Sequence, residues 1–491
     1  MRFIPEGWKV TKPANDTVTE TKVRIESWMK VFFGDIFANR FENESELTHF
    51  VKGNEYSCIG QSHSYNGVQV VPETEAIVFG ASGLNTCTVD TATLTATCGP
   101  STTIKELKDE LLKHNRGMLN SGNYMAQTVI GALVTGTHGY GSRAPIADGV
   151  VELTFLDGDG QPHTIGRGDP DFQYALVSFG TVAPIISVTI ESTELMSYQS
   201  DAWITRLSKK ANLKKGAVAV SWAVVPYSKP NDPLIMLHTL RPATEGKAAQ
   251  EKKPPLFSLG WLAQLVIEQF WVFDRTFPTM RRTLQRFADR LNIRTHRRVI
   301  TKPEDIDFLY DPEPLLKSQR SPDVLQGFFS TTHTAYNLAF FVPLSRADDL
   351  VRFVMLEAES LRHLGFHLKS LIGVRELNDK SDLPFAGNFN GPVAAIDLFA
   401  DVRDYAWLER LQREVIAYFD DVRPHWGKSA IVPDFAASLG ENHINALREL
   451  HQRHYPQGNL KTNERVRKLF DLGRPAASTV YEMAKASGHD E

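Results

Sequence analysis

Two histidine-bearing segments hold the residue types best suited to chemistry in this 491-residue chain. The first, Gly60-Gln-Ser-His-Ser-Tyr65, sets His63 between two serines where a short strand-like stretch breaks at Gly60. An imidazole presented in such a turn can be a hydrogen-bonding loop residue, a general base, a metal ligand, or a nucleophile toward an electrophilic cofactor. The residue types alone leave those four roles open. The second segment, Gly131–Gly141, reads GALVTGTHGYG and places four glycines, two threonines and His138 in eleven residues. Such a run lets the backbone approach a phosphorylated ligand while N–H groups and hydroxyls donate to it.

What the run lacks narrows the ligand. A triphosphate-binding loop needs a lysine after its second glycine, but Gly136 is followed by Thr137 and His138. The order G-x-x-G-x-G also departs from the G-x-G-x-x-G dinucleotide fingerprint, and no strand-to-helix unit surrounds it. Nucleotide hydrolysis and Rossmann-type NAD binding are therefore set aside. A formal charge of -4 gives no reason to expect nucleic acid. Cys58, Cys87 and Cys98 have no metal-ligand spacing and cannot all pair, which fits a reducing compartment, and no metal is expected. The opening MRFIPEGWKV lacks the apolar core of a secretory signal, so a cytoplasmic location is expected.

The elements that must position these segments fall into blocks. Residues 40–195 read as mostly strand, with runs at Thr86–Thr97 and Val150–Leu156, a capped helix over Ser101–His114 and a hairpin turn at Asp157–Gly160. The acidic pair of that turn lacks the continuing ligand series of a calcium loop. From about 200 to 430, strands at Ala217–Val225, Tyr336–Val342 and Ala394–Phe399 mix with amphipathic helices at Ala347–Leu364 and Tyr405–Phe419. The tail adds helices over Glu441–Arg453 and Glu464–Leu472. The arginines at 281, 282, 286, 290, 294, 297 and 298 read as a solvated helix face. Leu256–Phe273 is strongly apolar, but Gln264, Glu268 and Gln269 form a polar stripe; a buried or interface helix is expected, with peripheral membrane contact the minority reading.

Five ordered motifs resemble one family. G-Q-S-H-S-Y at 60–65, T-V-I-G-A-L-V-T-G-T-H-G-Y-G at 128–141, S-F-G-T-V-A-P-I-I-S-V-T-I at 178–190, R-P-H-W-G-K at 423–428 and Y-P-Q-G-N-L-K-T-N at 455–463 are similar to the FAD-linked oxidases of the vanillyl-alcohol-oxidase type, in particular the aldonolactone and alditol oxidase branch. The resemblance implies an α+β, two-domain flavoprotein. A PCMH-type FAD-binding domain would occupy 1–195 (core about 40–195), and a substrate domain with an antiparallel sheet covered by helices 196–430. The C-terminal segment 431–491 would pack back on the FAD domain.

The same resemblance implies roles, position by position. His63 matches the histidine that carries FAD covalently through the 8α-methyl group in many members, and Gly117–Gly131 holds no cysteine for a second bond. Gly60, Gln61, Ser62, Ser64, Tyr65, Thr135, Gly136, Thr137, His138, Gly139 and Gly141 would cradle the pyrophosphate and ribityl chain, and Ile186 would lie near the adenine. Thr128 would sit near the flavin face and His425 against the isoalloxazine. Arg375 and Lys428 match cationic groups that hold or polarise the substrate oxygen. The implied reaction is oxidation of a CH–OH group of a sugar-like, polyol or aldonolactone substrate by hydride transfer to flavin N5, with O2 as acceptor giving H2O2.

One departure stands out. The family's glutamate two residues before the arginine falls on Gly373, and Glu376, one step from Arg375 on a strand, points to the opposite face. Val134 and Tyr140 also replace smaller or more polar residues. A bulkier substrate, an amine or other C–H donor, or a catalytically silent flavin-binding subunit are the alternative readings. Asp397, polar among apolar strand neighbours, either faces the pocket or simply follows strand alternation.

Overall fold

The computed structural model describes residues 21–26, 33–64, 66–122, 124–226, 228–243, 293–300, 335–361, 368, 371–401, 405–428 and 436–472. Tyr65, the apolar segment 256–273 and Arg281, Arg282, Arg286 and Arg290 lie outside the described residues. The chain is an α+β fold of two lobes.

The first lobe holds two sheets. In one, Tyr56–Ile59 runs parallel to Glu75–Val78, which runs parallel to Phe33–Asn39. In the other, Ile185–Glu194 is the central strand, flanked by Thr95–Cys98 and Val150–Leu156. Local chemistry sets the punctuation. Thr103 and Glu106 form a reciprocal capping box at the start of helix Ile104–Lys113. Asp157 terminates Val150–Leu156 in a turn: its Oδ1 accepts from the N–H groups of Asp159 (3.0 Å) and Gln161 (2.8 Å). Its Oδ2 meets His163 Nε2 at 2.7 Å, and the His163 ring packs edge-on against His454.

The C-terminal segment completes this lobe. Leu447 and Leu450 of helix Glu441–His454 are buried in the same apolar cluster as Phe155, Leu153 and Val188. Tyr455 Oη donates to the Leu156 carbonyl (2.9 Å) and accepts from Ala183 N–H (3.1 Å). The backbone then pairs with the first sheet, Tyr56 N–H to Asn459 O at 2.8 Å and Lys461 N–H to Tyr56 O at 2.7 Å. Asn463 both caps helix Glu464–Phe470 and donates to the Gly67 (3.2 Å) and Val70 (2.7 Å) carbonyls.

The second lobe is one antiparallel eight-stranded sheet whose centre runs Ala219–Val224, Ile372–Leu377, Val393–Asp401, Ala335–Pro343. Alternation gives it two unlike faces. Trp222, Val224, Val374, Ile396, Leu338 and Phe340 point to helices Ala347–Leu361 and Tyr405–Tyr418, and burying each such side chain contributes about 1.5–3 kcal/mol. The other face carries Ser221, Gly373, Arg375, Ala395, Asp397 and Phe341 toward the first lobe.

One expectation fails here. Arg294, Arg297 and Arg298 lie on a strand, Ile293–Ile300, that pairs with Tyr198–Arg206, and not on a helix. Arginines spaced three and four apart satisfy a helical period, but alternation with Thr295 and Val299 near an open sheet edge favours the ladder. Among the described residues no helix is long and apolar enough to cross a membrane.

Candidate functional site

A cleft opens between Gly60–Ser64 and the start of helix Val129–Val134. Close backbone approach makes it. A Cβ on Gly60 would lie 2.6 Å from Thr128 Oγ1, and one on Gly131 would lie 2.7 Å from the same atom. Thr128, buried, caps the helix by accepting from Gly131 N–H at 3.2 Å. Ser62 takes a left-handed φ of 56°, and Gln69 Nε2 donates to its hydroxyl at 2.9 Å. The cleft thus offers backbone N–H groups and hydroxyls to an anionic ligand, with Lys461 as its cationic side chain.

His63 sits in this cleft with its ring centroid 4.3 Å from that of Tyr124. Burial pushes its pKa down to about 3. The ring is therefore neutral at physiological pH and keeps the nitrogen lone pair that a nucleophile requires.

A second cluster lies against the inner face of the eight-stranded sheet. The segment Arg423–Lys428 is pinned at two residues: the Arg423 guanidinium donates to the Ala386 (2.7 Å) and Pro384 (2.6 Å) carbonyls, and Trp426 Nε1 to Phe385 O (2.9 Å). Lys428 Nζ donates to Asp397 Oδ1 at 2.6 Å. His425 stacks on Phe341 and lies 5.3 Å from His138, ring centre to ring centre. His425 Nδ1 is buried with no hydrogen-bond partner among the described residues, and so is Ser221 Oγ.

Electrostatics keep the cluster in a defined state. Burial pushes His138 down to about 3, reinforced by the Arg375 guanidinium, and pushes His425 well below its ordinary value, reinforced by Lys428. Burial alone would raise Asp397, but Lys428 and Arg375 hold it far below the usual carboxylate range. Two neutral imidazoles thus border a buried ion pair.

The two regions meet. A Cβ on Gly427 would be 3.5 Å from Ser64 Oγ in the cleft and 3.9 Å from His425 Cε1 in the cluster. The glycine run also bridges the lobes. Gly141 N–H donates to Glu376 O at 2.7 Å, Asn378 N–H to Gly141 O at 2.8 Å, and Arg375 Nη1 to His138 O at 3.4 Å.

Gly60, Gln61, Ser62, His63, Ser64, Thr128 and Thr135 line the cleft, while His138, His425, Arg375 and Lys428 gather on the sheet face. Gly136 and Thr137 fall one step beyond the cleft lining. Of the other expected cofactor contacts, Ile186 is buried in the apolar core of the first lobe, Gly139 packs on Asn120, and Gly141 bonds Glu376 and Asn378 between the lobes. Glu376 is on the far face, as alternation requires, bonded to Lys214 Nζ (2.7 Å) and Trp222 Nε1 (3.2 Å). Sequence reasoning missed Gln69, Tyr124, Ser221 and the cleft-lining Lys461 and Thr462; only the last two carried a signal, the tail motif ending at Asn463.

Residues 47–166 match the family described as FAD binding domain. The chain therefore contains an FAD-binding domain, and FAD is its cofactor. The FAD-binding portion is also similar to L-gulono-1,4-lactone dehydrogenase of Mycobacterium tuberculosis, 26% identical over 162 residues, covering 32% of this chain and 37% of that protein. Alditol oxidase of a Streptomyces species is 28% identical over 138 residues, 28% of this chain and 33% of that protein. The chain thus spans little more than a third of the length of the curated relatives it matches. Among solved structures, cholesterol oxidase from B. sterolicum superposes with a TM-score of 0.68 at 14% identity, covering 94% of this flavoprotein and 99% of that chain. A solvent-stable cholesterol oxidase gives a TM-score of 0.65 at 13% identity, covering 94% and 100%. These likenesses fix the two-lobe fold. The glycine cradle, with its N–H groups and hydroxyls, fits FAD as the group held there.

Proposed function

We propose that this flavoprotein oxidises a CH–OH group of a sugar-like, polyol or aldonolactone substrate to the carbonyl, with O2 reoxidising the cofactor to give H2O2. The observation that carries the reading is the set Arg375, Asp397 and Lys428, its carboxylate buried and its two cations half-buried, seated beside His425 where the sheet face meets the cofactor cleft. Similarity to a lactone dehydrogenase and an alditol oxidase supports the substrate class.

FAD, when bound, supplies the hydride acceptor. The chain's own residues do the rest. Arg375 and Lys428 orient the substrate oxygen and stabilise negative charge developing on it, an effect strengthened by exclusion of water. His425, neutral through burial, accepts the hydroxyl proton on Nδ1. The carbon gives up a hydride and the oxygen a proton, which balances a two-electron oxidation. Gly60–Ser64, Thr128 and Thr135 hold the cofactor, and His63 anchors it covalently.

Mixing the oxidised protein anaerobically with polyols, aldonolactones and amines is expected to bleach the flavin with the first two classes; bleaching by amines alone, or by nothing in the panel, overturns the reading. Admitting oxygen should restore the colour with stoichiometric peroxide. For the anchor, yellow fluorescence should stay with the polypeptide in a denaturing gel and vanish in His63→Ala, whereas release of all flavin by acid precipitation of the parent would disprove a covalent bond.

A further inference from the structure

Position 373, on the inner face two residues before Arg375, has no side chain, and the strand register shows what stands beside it. Gly373 is paired with Asp397 on the neighbouring strand, and a Cβ built on Gly373 would lie 3.6 Å from Asp397 Cβ. Directly opposed residues in an antiparallel pair project from the same face. The row across the sheet reads Ala223, Gly373, Asp397, Ala339. One carboxylate therefore rises from a floor of small residues. The adjacent row reads Ser221, Arg375, Ala395, Phe341, which sets a guanidinium and an unpartnered buried hydroxyl alongside.

We propose that Asp397 is the carboxylate of the substrate subsite: it takes, from the neighbouring strand, the place that Gly373 leaves vacant, and it positions Lys428 against the substrate oxygen. This rests on the activity proposed above. The charged and titratable groups facing it are Lys428, Arg375, His138 and His425, and the two histidines are neutral. One carboxylate oxygen accepts from Lys428; the second has acceptor capacity for a substrate hydroxyl, which favours ligands bearing neighbouring hydroxyl groups. A Cβ on Gly373 would have Asp397 as its one neighbour within 4 Å, so the strand leaves the carboxylate uncrowded on that side. Burial pulls Lys428 below its ordinary value, and Asp397 is the group that opposes this. Removing the carboxylate thus lowers the lysine's proton affinity further and frees its orientation.

The experiment moves the carboxylate between strands. Asp397→Asn and Asp397→Gly are expected to slow anaerobic flavin reduction by the best substrate about 100-fold, the usual scale for one preorganised electrostatic group. Adding Gly373→Glu to Asp397→Gly should recover about tenfold. A readout that needs no substrate is the pH dependence of Lys428 acetylation by acetic anhydride, followed by peptide mass spectrometry. Its midpoint should fall by about one pH unit or more in Asp397→Asn, with unchanged flavin content. A reduction rate within threefold of the parent, an unmoved acetylation midpoint, or a double variant no faster than Asp397→Gly at equal flavin content overturns the proposal. If the parent is reduced by no alcohol, the activity reading fails while the acetylation result still decides Asp397.

Discussion

The cofactor cleft and the sheet face opposite it hold their ligands by different means. The cleft works by subtraction: Gly60 and Gly131 lack the Cβ atoms that would strike Thr128, and the space so made is lined by N–H groups and hydroxyls. The sheet face works by addition, gathering Arg375, Asp397 and Lys428 where burial magnifies each charge. A glycine cradle accepts a large anion with little electrostatic preference for one reacting atom. A buried ion pair acts on a single oxygen.

Substitutions should separate these two modes. The largest effect is expected for Lys428→Met, which removes the cation and strands Asp397: flavin reduction should fall about 10³-fold while flavin content per chain stays at the parent value. Comparable loss of flavin would show that Lys428 serves the cofactor instead. Gly60→Val should do the reverse. Its Cβ meets Thr128 Oγ1, overpacking costs about 1–3 kcal/mol, and the purified protein should carry about 10–100-fold less FAD at equal concentration.

Acidification probes both regions at once. His63 and His138 have folded pKa values pushed from 6.5 down to about 3 by burial, so the unfolded chain binds more protons below pH 6.5. Stability contributed by the neutral rings is complete above pH 6.5 and is lost as pH falls toward 3, by up to about 1.4 kcal/mol per pH unit for each ring. Urea unfolding of the apoprotein at pH 7 and pH 5 should show the loss, and His138→Phe should lessen it; an equal loss in that variant would place the titration elsewhere. The smallest catalytic effect belongs to Glu376→Gln. Its carboxylate serves Lys214 and Trp222 on the helix-covered face, so turnover should stay within about threefold while chemical denaturation reports a loss of about 1–3 kcal/mol. A large fall in turnover would mean that the two faces communicate.

The contrast also explains what could be read from sequence. A cradle made by missing side chains leaves its mark in a contiguous motif, so Gly60–Ser64 and the run from Thr128 were visible. Lys461 and Thr462 were visible only as part of a tail motif, because pairing of Tyr56 with Asn459 and Lys461 is non-local. Asp397 was the hard case. Its partner Lys428 is 31 positions away and the gap it fills is on another strand, so only register could join them. Ile186 and Gly141 fell in matching motifs, but packing turned one into core and the other into a joint between lobes. The arginines at 294, 297 and 298 fit a helical period and formed a strand, since sheet pairing overrides local spacing.

The tail that closes the first lobe has a bearing on how the protein is made. Lys461, Thr462 and Asn463 line a cleft whose other walls come from residues 57 to 180, and Asn463 bonds the carbonyls of Gly67 and Val70. The early strands can pair as they are made, but the last wall of the cofactor chamber exists only once Asn463 has joined them. A chain stopped short of Asn463 is born without a finished place for the cofactor.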